Sequence, residues 1–157
     1  MIKRLAFNLG ILSFLFTFSA QISLGKDFFV YVSPDPIGVN AFLQMGKTGT
    51  EAAAKKFGAD VQTYESSTAA ARRENVEAAL NEGATLIVLL GFEFNDIVNE
   101  LAPTAPDVQF LIVDQCIQNQ PPNVHCAVFR EYEASYLVGI AAGMMTKTNK
   151  IGVVGAL

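Results

Sequence analysis

The sequence predicts an α/β fold, a Rossmann-like parallel sheet with helices on both faces. Three observations carry that expectation. The apolar runs at residues 28–32, 85–90 and 108–113 are continuous rather than alternating, as in strands buried on both faces. Segments of helical period separate them. Each run ends in a break, such as Ser33-Pro34-Asp35-Pro36 or Gly91, that a ladder cannot continue.

The N-terminus is set aside before the fold is read. Lys3 and Arg4 precede a mostly apolar stretch over residues 5–18, and Ser23 and Gly25 offer small residues before Lys26. This is the layout of a secretory signal peptide over residues 1–25. The apolar core is shorter than the roughly 20 residues of a membrane span, and an uncleaved anchor is the alternative. No cysteine sits at the cleavage point to be acylated. The whole chain carries a formal charge of −4. Residues 1–25 hold two basic side chains and no acidic one, so the remainder stands at −6. That balance argues against nucleic acid or an anionic membrane surface as partner, since both demand clustered positive charge. The expected location is outside the cytoplasm, in the periplasm or attached to the cell membrane.

The elements follow in order. Residues 28–32 (FFVYV) form the first strand, and two prolines with Gly38 end it. Phe42, Met45, Gly49, Ala52, Ala53 and Phe57 then recur at helical period up to a Gly58 C-cap. Residues 59–64 make a second strand. Ser66, Ser67 and Thr68 supply capping hydroxyls for a helix with Ala69, Val76, Ala79 and Leu80 on one face, ended by Gly83. Residues 85–90 (TLIVLL) are the clearest buried strand. Asn95 or Asp96 is placed to cap a short helix closed by Pro103. Residues 108–113 form a fourth strand and residues 124–129 a fifth. A small-residue helix spans about 131–145, its Gly139-x-x-x-Gly143 spacing suited to close packing on the sheet. A last strand begins at Ile151. The expected division is a lobe over residues 26–150, with residues 151–157 as the first strand of a second lobe absent from the chain. The segment 146–150 is its natural crossing point.

Ligands of open parallel sheets bind beyond the carboxyl ends of the strands. That rule selects residues 33–38, 65–68, 91–94 and Asp114 with Gln115. Asp35 is either a carboxylate for ligand hydroxyls or a turn residue between prolines. Asp114 either binds a ligand or holds its turn. Phe42 either stacks on a planar ring or packs in the core, and Phe92 and Phe94 face the same choice. Glu65 and Glu93 read as solvated. Cys116 and Cys126 flank a loop in an exported chain and are either bridged or two small buried thiols.

Enzymatic motifs fail. Gly46-Lys47-Thr48 resembles the end of a phosphate loop, but position 41 is Ala and the residues fall within a helix. There is no G-x-G-x-x-G at the first helix and no G-x-S-x-G elbow. His125 is the sole histidine and reads as a loop residue; a His-rich metal site is excluded. No cofactor and no metal is expected.

Four stretches carry a family resemblance: FFVYVSPDPIGVN, GKTGTEAAAKKFGADVQTYES, LIVLLGFEFNDIVNELAPTAPDVQFLIVD and NVHCAVFREYEASYLVGIAAGMMTKTNKIGVVGAL. They resemble the basic membrane protein family of periplasmic-binding-like proteins, which includes purine nucleoside receptors of ABC uptake systems. The resemblance implies the N-terminal lobe of a type I periplasmic-binding fold that binds a solute without catalysis. It implies Phe42 as the stacking ring, Asn40 as the amide facing a base and Asp35 as the carboxylate for a sugar, with Ser33 as a further ligand-binding candidate. Gly91, Phe92 and Asp114 match positions lining the cleft. The family's Ser-Phe-Asn order is replaced here by Gly38-Val39-Asn40-Ala41-Phe42-Leu43. Implied partners are a nucleoside-like solute, an ABC permease, and a second chain or self-association that supplies the missing wall. Two other readings stand beside it. One is a non-binding remnant or dimerising module, its last strand free to pair. The other is a Rossmann-like enzyme domain with Asp35 or Asp114 as general acid/base.

Overall fold

The computed structural model describes residues 25–155; the expected signal segment, residues 1–25, lies outside them but for Gly25. Five strands form one sheet: β1 (Phe28–Ser33), β2 (Asp60–Glu65), β3 (Leu86–Leu90), β4 (Gln109–Val113) and β5 (Val124–Ala127). Their order is β2-β1-β3-β4-β5, and every pair is parallel. Four helices connect or follow them: α1 (Ala41–Phe57), α2 (Ala69–Asn81), α3 (Asn95–Leu101) and α4 (Glu131–Met145). The chain moves one way from β1 to β2 and the other way from β2 to β3. The loops after β1 and β3 therefore diverge, and they open the crevice where such sheets bind ligands.

Alternate residues of each strand serve the two faces. Val30, Val32, Ile87, Leu89, Phe110 and Ile112 are buried on one face, beneath Val76 and Ala79 of α2 and Ile97 and Val98 of α3. Burial of each such aliphatic chain contributes about 1.5–3 kcal/mol. Tyr31, Val88 and Leu90 face the other way, against Leu43 of α1. Here α1 approaches closely because residue 46 is Gly: a Cβ there would stand 2.8 Å from the Tyr31 hydroxyl oxygen. That hydroxyl donates to the Leu43 carbonyl at 3.2 Å, which satisfies a buried polar group and locks helix to strand.

Caps explain the helix limits. Asn40 Oδ1 accepts from the Phe42 and Leu43 N–H groups, and Gly58 closes α1. Thr68 Oγ1 accepts from the Ala71 N–H at the head of α2. Neither Asn95 nor Asp96 caps α3, contrary to expectation. A 3₁₀ turn at Phe92–Phe94 precedes the helix, Asn95 is already helical, and its Oδ1 is buried without a hydrogen-bond partner.

Three further expectations are corrected. His125 lies within β5, its ring Nε2 3.0 Å from Gln109 Oε1 on the neighbouring strand. Residues 151–155 have no strand partner among the described residues and are exposed. The third concerns α4, which packs on neither face of the sheet and has no buried residue. Leu86, Leu111 and Val113 therefore stay only partly buried on the α1 side.

Candidate functional site

The strand register fixes where the predicted site residues fall. Ser33 pairs with Glu65, Leu90 with Val113, and Val113 with Ala127, so all five strand tips lie along one edge. The turns that bear Asp35, Asn40, Gly91, Phe92 and Asp114 leave from that edge.

Each residue has a physical task there. Ser33 is buried, and its hydroxyl donates to the Asp35 carbonyl at 2.6 Å, shaping the first turn. The turn is held from outside as well. Glu65 Oε2 accepts from the Ile37 N–H at 2.8 Å, and Arg72 Nε donates to the Pro34 carbonyl at 2.8 Å. Arg72 also faces Asp35, 3.4 Å from Oδ1, while the Asp35 side chain remains 57% exposed. That carboxylate is thus positioned by a cation yet open to a further partner. Asn40 spends its carbonyl oxygen on capping α1, and only its NH₂ remains to donate.

Phe42 stands at the head of α1. It is 37% exposed and packs edge-on against Phe129, with ring centroids 6.4 Å apart. The core position that periodicity offered belongs instead to Leu43, Thr50 and Ala54. Met45, Gly49 and Ala53, from the same predicted stripe, line an open apolar groove of about 390 Å³ with Phe42 at its end. Phe92 is 57% exposed at the tip of β3, whereas Phe94 is fully buried, which divides the pair that the sequence left open. Gly91 holds φ 96°, ψ 169° and donates its N–H to the Val113 carbonyl, a conformation almost reserved to glycine.

Asp114 adopts the left-handed conformation, φ 72°, and its N–H donates to the Ala127 carbonyl at 2.7 Å. Although it is exposed at the surface, partial burial of its carboxyl raises its pKa above the ordinary value, and the neighbouring Glu131 carboxyl raises it further. Cys116 and Cys126 are joined, with Cα atoms 5.3 Å apart, which decides the alternative between bridge and thiols. The bridge ties the loop after β4 to β5.

Sequence reasoning missed four contributors. Arg72 and Glu65 hold the first turn, but only the fold brings residues 34–37 to their side chains. Phe129 and Glu131 meet Phe42 and Asp114 from a segment more than fifteen residues away. Among the described residues no cluster of three or more His, Cys, Asp and Glu is arranged to hold a metal, and no helix is long and apolar enough to cross a membrane.

Comparison with known proteins gives this edge its context. A family model described as ABC transporter substrate-binding protein PnrA-like matches residues 28–157. The chain is 34% identical over 139 residues to the CD4+ T-cell-stimulating antigen of Listeria monocytogenes, covering 84% of this chain and 39% of the relative. It is 35% identical over 129 residues to the ABC transporter nucleoside-binding protein BmpA of Lactococcus lactis subsp. cremoris, covering 78% and 36%. Among solved structures, a solute-binding protein of an ABC transporter system from Aeropyrum pernix K1 superposes with a TM-score of 0.66 at 29% identity. That match covers 76% of this chain and 32% of the other. The chain thus spans less than two-fifths of the length of these curated relatives. The matching family is one of transporter binding proteins rather than enzymes. In sequence and in its five-stranded parallel sheet, the chain belongs to the PnrA-like family of ABC transporter substrate-binding proteins and corresponds to one lobe of their fold.

Proposed function

We propose that this chain is the first lobe of an exported receptor that binds a nucleoside-like solute and presents it to an ABC permease. The observation that carries this reading is the grouping of one aromatic ring, one carboxylate paired with an arginine and a second carboxylate along the single sheet edge that holds the strand-order switch. Phe42 offers a face for a planar base. Asp35, steadied by Arg72, and Asp114 offer acceptors for sugar hydroxyls. The nucleoside class takes its support from the Lactococcus lactis relative, which is named for nucleoside binding. Residues 151–155 are apolar and exposed, as suits the entry strand of an opposing lobe. Residues 1–25, with their basic start and apolar core, suit export, and the lobe itself would work outside the cytoplasm.

The test is calorimetric and thermal titration with a panel of nucleosides, free bases and sugars. A ligand at a hundred times its dissociation constant stabilises the fold by about 2.7 kcal/mol. The expected result is a rise in melting temperature with nucleosides that is lost in Phe42→Ala. A panel in which sugars stabilise the chain and nucleosides do not would overturn the nucleoside assignment.

A further inference from the structure

We infer that the Cys116–Cys126 bridge is a positioning element of the candidate site: it fixes the turn that presents the Asp114 carboxylate, and opening it frees that turn while the sheet stays folded. The consequence for solute affinity rests on the reading proposed above; the effect on the turn does not.

The strands β4 and β5 are parallel, so residues 114–123 run back along the sheet from one edge to the other. Such crossovers usually take a dozen or more residues and carry a helix. This one holds neither helix nor strand. Its far half is densely tied. The Asn123 NH₂ lies within 2.9–3.0 Å of the carbonyls of Ala102, Ala105 and Val108, and the Asn123 carbonyl accepts from the Phe110 N–H at 2.9 Å. The Val124 N–H donates to the Pro121 carbonyl, and Gln120 Nε2 to the Val124 carbonyl, both at 3.0 Å. The near half is not tied in this way. Among the described residues, no backbone N–H of residues 115–119 donates to a backbone carbonyl. The Gln115 side chain reaches only the carbonyl of its neighbour Cys116. What anchors the near half is Ile117, packed against the sheet core, and the bridge.

Asp114 stands directly before this near half, and two effects push it out of place. Its φ of 72° is one that residues other than glycine rarely adopt. The Glu131 carboxyl faces its own, and like charges repel when both are ionised. Against these stands the hydrogen bond from the Asp114 N–H to the Ala127 carbonyl. The bridge reinforces that bond, because Cys116 follows Asp114 by two residues and Cys126 directly precedes Ala127. With the bridge open, one hydrogen bond alone resists both effects. Cys116 is exposed, so a dithiol reaches the bridge. Dithiothreitol opens it by two exchanges. One thiolate of the reagent attacks a bridge sulfur and expels the other as a thiolate. The second reagent thiolate then releases the first cysteine, leaving two protein thiols and the oxidised cyclic reagent.

Nitrogen-15 relaxation of the folded chain, before and after dithiothreitol, reads the turn. Order parameters at Asp114, Gln115 and Cys116 are expected to fall from about 0.85 to below about 0.6, while those of Asn123 and Val124 hold. Cys116→Ser/Cys126→Ser should give the same pattern without reductant. Titration with adenosine, followed by chemical shift, reads the consequence. Opening the bridge should weaken binding at least five-fold in the parent and leave it unchanged in Asp114→Asn, since a tie that acts through the carboxylate has nothing to position once it is gone. Unchanged order at Asp114 overturns the inference. So does a loss of order that reaches Asn123 and Val124, or a collapse of the circular dichroism, either of which would make the bridge a staple of the whole lobe. An equal loss of affinity in the parent and in Asp114→Asn overturns it as well. A chain that binds no adenosine in either form yet loses order at Asp114 upholds the inference and counts against the solute reading.

Discussion

At the scale of single residues, the candidate site is a set of groups whose backbone and charge were settled by neighbours far away in sequence. Asp114 shows this most clearly. Its left-handed φ is one that Asn tolerates as well as or better than Asp, and Glu131 crowds its carboxylate. Asp114→Asn should therefore leave the melting temperature unchanged or raised. If the carboxylate accepts from a ligand hydroxyl, the same change lowers nucleoside affinity by about ten-fold or more, since hydrogen bonds to charged groups are worth about 1.5–3 kcal/mol. Parallel thermal and calorimetric titrations separate the two effects. An equal loss of stability and affinity would give Asp114 a purely structural role. Tyr64 supplies a pH test. Burial, with the Glu82 carboxylate accepting from its hydroxyl, pushes its pKa up to about 12 from an ordinary 10. The neutral phenol is thus favoured in the folded state. Its contribution is full below pH 10 and is lost as pH rises toward 12. Because the phenol is only partly buried, solvent screening holds that contribution under ~1 kcal/mol. Urea midpoints measured between pH 8 and 11.5 should fall more gently in Tyr64→Phe than in the parent.

At the scale of elements, the loop between β4 and β5 is held from two sides. Asn123 is buried, and its NH₂ lies within 2.9–3.0 Å of the carbonyls of Ala102, Ala105 and Val108, gathering the end of the α3 segment onto β5. The Cys116–Cys126 bridge closes a ten-residue separation, worth about 2–3 kcal/mol in loop entropy. Reduction with dithiothreitol should lower the denaturation midpoint by that amount, and Cys116→Ser/Cys126→Ser should do the same without reductant. A midpoint indifferent to both would mean that Asn123 alone holds the loop. Elements like these were unevenly legible in the sequence. β1, β3 and β4 declared themselves through continuous apolar runs, because a strand buried on both faces has no polar alternation to obscure. The edge to which Asp35, Phe42, Phe92 and Asp114 belong was legible too, since it follows from parallel pairing alone. The role of Asn123 was not, because its three acceptors lie 15 to 21 residues away. Nor was the position of α4. Its apolar residues wrap the helix rather than forming one stripe, so period alone names a helix but not the surface it meets. The register of Phe42 was one residue off the core for a related reason: α1 has two apolar faces, and Leu43 rather than Phe42 meets Tyr31.

At the scale of the whole molecule, the arrangement is a single wall. Asp35, Phe42, Phe92 and Asp114 rim one edge of one sheet, and a solute bound there as proposed would keep water on its other side. Water at that interface weakens each charged hydrogen bond, because the interaction scales inversely with the local dielectric. It also forgoes much of the burial that drives small-ligand affinity, since ligand sites ordinarily cover 70–90% of the ligand surface. The expected dissociation constant for a nucleoside on this lobe alone is therefore weak, on the order of 0.1–1 mM, or about 4–5.5 kcal/mol of binding. An opposing lobe changes both terms together. Supplying one in trans, as the second half of the Lactococcus lactis relative, should tighten binding at least ~100-fold, close to 3 kcal/mol. The gain should shrink in Phe42→Ala, because a ring stacked on one wall is what a second wall would clamp against. Isothermal titration of one nucleoside into the lobe with and without the added half measures this directly. Equal affinity in the two titrations would place the complete site on this chain and remove the need for any second wall.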